Sequence, residues 1–112
     1  MDVQIGKRKF VLEQTWGEFK AFVAADNGLD LDLLKARDAD DYPKLTEVHA
    51  ERIALHEAQV AKCLQSIDGA AVNGSLDALQ WDEPHALARK LLNPSADLNE
   101  QPAPFARPPA SG

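Results

Sequence analysis

The sequence predicts a mainly α fold, in which an N-terminal β-hairpin packs on a small bundle of about four helices and an extended Pro-rich tail follows. Three observations predict it. Residues 3–12 alternate apolar and polar about a Gly6-Lys7 pair, and apolar residues recur at helical spacing through much of 15–93. Five of the seven prolines fall in residues 94–112. The composition shift at Pro94 divides the chain into a hairpin-plus-helix domain, 1–94, and an extended or disordered tail, 95–112.

The hairpin is read from turn chemistry. Gly accepts the positive φ that a type II′ turn needs at its first central position. Pairing Ile5 with Arg8 sets Val3 opposite Phe10, so Val3, Ile5, Phe10 and Leu12 share one face. Such a ribbon is marginal alone and needs helices or a second subunit beneath it. Thr15 then opens a capping box with Glu18. The helix after it carries Trp16, Phe19, Phe22 and Val23 on one side, and Asn27-Gly28 supplies a left-handed stop. A short helix is expected over 30–37 with Leu31 and Leu34 inward, ended by Asp38, Asp40, Asp41 and Tyr42-Pro43.

The longest helix is expected over 44–67. On a wheel of about 100° per residue, Leu45, Val48, Ile53, Leu55, Val60, Cys63, Leu64 and Ile67 cover half its circumference, too wide a stripe for a two-stranded coiled coil. Gly69 serves as its C-terminal stop. Ser75 caps a short turn bearing Leu76 and Leu79, and Trp81 packs on the long helix. Asp82 caps a last helix with Glu83 and Pro84 in its first turn, Leu87 and Leu91 inward, and Arg89 and Lys90 near its negative end.

At 112 residues and a formal net charge of −6, one domain of modest core is expected. The negative field argues against nucleic acid and anionic membrane as partners, and Lys7, Arg8 and Lys9 form the one basic run. No stretch approaches the roughly twenty apolar residues of a membrane span, and the start lacks the apolar run of a signal peptide. A single cysteine makes no internal disulfide, so cytosolic synthesis is the default.

Candidate chemistry is sparse. His49, His56 and Cys63 repeat every seven residues on the apolar stripe, which suggests a metal or redox site. Seven residues span about 10.5 Å of helix, too far for two of them to share one ion. They read instead as polar-edged packing residues whose imidazoles are satisfied by a neighbouring helix. The acidic patch at 38–41 lacks the Asp/Asn-Gly-Glu spacing of a calcium loop. Phosphate-cradling and nucleophile-elbow motifs are absent. Neither a catalytic residue nor a cofactor is expected, and the reading is non-enzymatic.

Some elements resemble a known family. Ile5-Gly6-Lys7-Arg8-Lys9-Phe10-Val11-Leu12, then Thr15-Trp16-Gly17-Glu18, resemble the hairpin and helix start of bacteriophage tail assembly chaperones and small baseplate-hub assembly proteins. Ser66-Ile67-Asp68-Gly69, Leu76, Leu79, Asp82 and Leu92-Asn93-Pro94 are similar in order to their later elements. Lys7-Arg8 in place of a second turn glycine, and the Pro-rich end, depart from the pattern. The resemblance covers residues 3–95. It implies a non-enzymatic protein of the host cytoplasm, or of the virion, that binds tape measure, tail tube or baseplate hub proteins, with a homo-oligomer as one form. A groove for an amphipathic helix would use Trp16, Phe19, Phe22 and Trp81, and Phe105 of the tail is a further anchor for a partner. Two other readings stay open: a structural tail or baseplate subunit kept in the particle, and a small bacterial adaptor or regulator.

Overall fold

The computed structural model describes residues 1–95; the Pro-rich tail expected over 95–112, Phe105 included, lies outside them but for Ser95. The elements run β1 (Asp2–Ile5), β2 (Arg8–Leu12), α1 (Trp16–Asp38), α2 (Tyr42–Cys63), β3 (Leu64–Ile67), β4 (Ala70–Ala71) and α3 (Glu83–Leu92). The strands form one antiparallel sheet in the order β1-β2-β3-β4. The N-terminal hairpin and the predominance of helix match the expectation. Among the described residues three helices stand where about four were expected, and the two-stranded ribbon is half of a larger sheet.

The β1–β2 register is the expected one: Ile5 faces Arg8 and Val3 faces Phe10. Gly6 takes φ +59°. Val3, Phe10 and Leu12 are buried and Ile5 packs against them. β3 replaces the expected last turn of the long helix. It pairs Ile67 with Phe10 and Leu64 with Leu12, with a register shift between Val11 and Leu12. That irregularity matters because Leu64 and Ile67, three residues apart, would face opposite sides of a regular strand. The bulge turns both inward, where they are 3% and 7% exposed.

Asp68 and Gly69 are therefore not a helix stop. Their φ values of +50° and +88° are the paired positive angles of a type I′ hairpin turn between β3 and β4. The Asp68 carboxylate accepts a hydrogen bond from the Lys9 amide at 2.8 Å, and the Asp68 amide donates to the Lys9 carbonyl at 2.7 Å. The turn is thereby fastened to β2.

α1 starts at the expected capping box. The Glu18 amide donates to Thr15 Oγ1 at 3.1 Å, and the Thr15 amide to Glu18 Oε1 at 2.8 Å. It then runs unbroken through Asn27-Gly28 to Asp38, so the expected stop and the separate 30–37 helix are both corrected. The reason lies in what faces α2. Phe22, Asp26, Leu33 and Ala36 are buried and Leu29 is half-buried, a 4-3-4-3 spacing that crosses the Asn-Gly pair without interruption. Leu31 and Leu34, expected inward, are 57% and 38% exposed.

Chain reversal does occur at the acidic patch. Asp40 takes φ +55°, and Asp41 caps α2 by accepting from the Lys44 amide at 3.2 Å. A three-residue connection leaves the two helices antiparallel neighbours. Cross-helix pairs confirm it: Glu18 meets Lys62, Asp26 meets Arg52 and His56, and Asp30 meets Arg52. α2 presents Val48, Val60 and Cys63 to the interior, whereas Ile53, expected there, is 60% exposed.

α3 forms where expected, with Leu87, Ala88 and Leu91 buried. Asp82 holds the N-cap position without a side-chain cap bond. Glu83 Oε1 accepts instead from the Gln80 amide at 2.7 Å, which ties the preceding loop to the helix start. Arg8 from the basic run lies between the hairpin and α3. Its Nε is 3.1 Å from Glu83 Oε2 and its Nη2 donates to the Ala78 carbonyl at 2.8 Å. The Nε–H is not aimed at the carboxylate, so that contact is chiefly Coulombic.

The main core joins the inner sheet face, Phe22, Val60, Cys63 and the buried face of α3, with Leu76 and Leu79 of the connecting loop against it. Leu33, Ala36 and Val48 are buried outside this cluster, in the seam between α1 and α2. The distal half of the helical hairpin is thus a two-helix arm beyond the core.

Asp26 holds that arm. Burial alone pushes its carboxyl up, but hydrogen bonds from Arg52 and His56 outweigh this and hold it below its ordinary value of 3.8. Arg52 grips it bidentately, Nε to Oδ1 at 2.9 Å and Nη2 to Oδ2 at 3.0 Å, and His56 Nε2 lies 2.6 Å from Oδ1. A group whose folded pKa is depressed stabilises above its unfolded pKa, and that stability is lost as pH falls through the folded value. Asp26→Asn is expected to cost about 2–3 kcal/mol in urea unfolding at pH 7. This is less than a fully buried pair costs, because Arg52 is partly exposed and keeps Asp30. The deficit relative to wild type should shrink below pH ~4. Gly28→Ala is expected to stabilise by about 1 kcal/mol, since helical Gly is costly and an added Cβ meets nothing within 4 Å; the same unfolding series measures it.

Candidate protein-binding surface

Exposed aromatics form the most unusual surface of this protein. The chain has two tryptophans, and the fold buries neither: Trp16 is 69% exposed and Trp81 is 94% exposed. Large amphipathic rings contribute strongly to stability when covered, so two left in solvent make this surface the candidate for partner contact.

Trp16 opens α1 and is aimed outward because the capping box fixes the first turn with Phe22 as the inward residue. Its ring stacks on the half-buried Phe19, centroids 5.5 Å apart at 27°, and Lys20 Nζ lies 5.9 Å from the Trp16 centroid. Together with Met1, Gln14, Thr15 and Pro94 the two rings line a hollow of about 310 Å³. Pro94 follows α3, so this shelf lies at that helix's C-terminal end.

Trp81 lies at the opposite end. It precedes α3 and does not pack on α2, contrary to the sequence expectation. The loop packs Leu76 and Leu79, both half-buried, against the core in preference, and Glu83 turns inward to Arg8. Trp81, Pro84 and His85 face Ile53, His56 and Glu57 of α2 across a hollow of about 280 Å³. α3 has ten residues, so the two hollows are separated by roughly its 15 Å length.

Of the residues expected to bind a partner, Trp16 and Phe19 share the first hollow and Trp81 lines the second. Phe22 is corrected: it is 2% exposed, packed edge-on to His56 with centroids 5.6 Å apart, and serves the core. Phe105 lies outside the described residues. Ile53 and Pro84 were missed as surface residues. Ile53 was read into the stripe by its apolar character, although it stands one residue away from Arg52, the position that faces α1.

His49 is exposed, while His56 is engaged by Asp26 and Cys63 is fully buried. Burial pushes the Cys63 thiol up, with Glu18 adding to the shift, so the group stays a neutral thiol at pH 7. Among the described residues no group of three His, Cys, Asp or Glu side chains is placed to hold a metal ion. No helix among them is long and apolar enough to cross a membrane. Comparison with protein-family models, with curated proteins and with solved structures found no match for this chain.

The different placements of the aromatics have a measurable consequence. Trp16→Ala and Trp81→Ala should each change stability by no more than about 0.5 kcal/mol, as surface substitutions do. Phe22→Ala should cost about 3–5 kcal/mol. Thermal melts of the three variants make the comparison.

Proposed function

We propose that this chain is a non-enzymatic assembly factor that holds another polypeptide on its two exposed tryptophan hollows. Its setting would be phage tail or baseplate assembly, where a tail assembly chaperone binds tape measure or tail tube protein. The solvent exposure of Trp16 and Trp81 carries the binding part of this reading. The phage setting rests on the resemblance of residues 3–95. Hollows of about 280–310 Å³ sit at the lower limit of small-molecule sites, which run from about 300 to 1,000 Å³, and are of a size to take a single anchor side chain. An amphipathic helix presents such anchors at i and i+3 or i+4, and a tape measure protein is long and helical.

Co-expression with the tape measure and tail tube polypeptides of the same genome tests the proposal. A soluble complex is expected, lost in a Trp16→Ala/Trp81→Ala double variant whose melting temperature is unchanged. Equal recovery of complex with the double variant, or no complex with wild type, overturns it. Mass analysis of purified particles distinguishes a chaperone, which is absent from them, from a structural subunit, which remains.

A further inference from the structure

The net charge of the chain is concentrated on one part of it. Residues 26–57 hold nine carboxylates against four basic side chains, a net of −5 out of the −6 of the whole chain. These residues form the arm and the α2 wall of the Trp81 hollow. Two of the four basic groups there are committed to carboxylates of the same segment: Arg52 to Asp26 and Asp30, and Lys44 to Glu47. Glu57 on the hollow's wall and Asp82 beside Trp81 enter no ion pair among the described residues. Ile53, Trp81 and Pro84 supply the apolar lining beside Glu57, and Asp82 adjoins Trp81 in the chain.

We infer that the Trp81 hollow is the seat of a cationic amphipathic helix. An apolar side chain of that helix enters between Trp81, Ile53 and Pro84. Lys or Arg residues one turn to either side, at i±3 or i±4, face Glu57 and Asp82. The apolar contact supplies affinity, and the −5 field of the arm supplies attraction and orientation. A helix with an acidic polar face brings like charges together at the same place and is rejected. The Trp16 shelf offers no such discrimination, since Lys20 lies over its ring. This assignment rests on the protein-binding reading above and adds to it the charge of the partner.

The test uses the full chain carrying Trp16→Phe, so that Trp81 is the sole tryptophan, titrated with three 18-residue peptides. One is an amphipathic Leu/Lys helix, one a Leu/Glu helix with the same apolar face, and one a Lys/Ser peptide without an apolar face. The Leu/Lys peptide should shift Trp81 emission to the blue and bind at least tenfold more tightly than either other peptide. Trp81→Ala, followed by calorimetry, should weaken it by about tenfold or more, as loss of an anchor does. Glu57→Gln with Asp82→Asn should weaken it several-fold and flatten its salt dependence. Equal binding of the Lys/Ser peptide reduces the effect to charge alone and overturns the inference. Equal, Trp81-dependent binding of the Leu/Glu peptide overturns the charge assignment while leaving the protein-binding reading intact. Failure of all three peptides to perturb Trp81 removes this hollow as a binding site, and the Trp16→Ala single variant in the co-expression experiment then decides the broader reading.

Discussion

The Asp26 carboxylate, gripped by Arg52 and His56, is the interaction on which the helical hairpin depends. Without it, α1 would cross Asn27-Gly28 with two poor helix formers and only Leu29, Leu33 and Ala36 to hold its distal half against α2. A buried carboxylate carries a desolvation cost, and here three directed hydrogen bonds offset it. Directed bonds also fix register. Apolar residues alone tolerate sliding of one helix along another, but the bidentate Arg52 grip does not.

The molecule therefore has two mechanically different parts. Near the sheet, α1 and α2 are covered by α3 and by the inner face of the strands, and core residues there reach full burial. Away from it, the two helices cover each other only along one seam, with Leu31, Leu34, Tyr42 and Ile53 left in solvent. The two tryptophan hollows mark the ends of α3. The surface proposed for partners is thus framed by the short helix, and the arm adds acidic charge beside it.

Local chemistry was legible in the sequence wherever a few neighbouring residues decide the outcome. The Gly6-Lys7 hairpin with its register, the Thr15–Glu18 capping box, the reversal at 38–43 and the inward Leu87 and Leu91 all follow from local rules. What remained hidden depends on partners distant in sequence. Asp26 counts as polar until Arg52 and His56 are known to face it, and with it excluded the α1 stripe breaks where Asn27-Gly28 offers a stop. Val60, Cys63, Leu64 and Ile67 keep a helical spacing, and only the bulge opposite Val11 and Leu12 makes that spacing compatible with a strand. The Asp68-Gly69 pair is a helix stop or a hairpin turn according to what precedes it. Of the candidate site, the aromatic composition was visible from Trp16, Phe19 and Trp81. The exposure of Ile53 was not, because it depends on how α2 is turned toward α1, which the Arg52–Asp26 contact fixes.

The pairing of β2 with β3 has a kinetic meaning. Leu12 and Leu64 are roughly fifty residues apart in the chain, so the sheet closes only after a long excursion has been bridged. The intervening segment is a helical hairpin made of neighbouring contacts, which can zip up early and carry the two ends toward each other. Until Leu64 arrives, the inner edge of β2 has no partner. The topology favours the helical hairpin forming before β3 joins β2, with the Lys9–Asp68 latch among the last contacts to close.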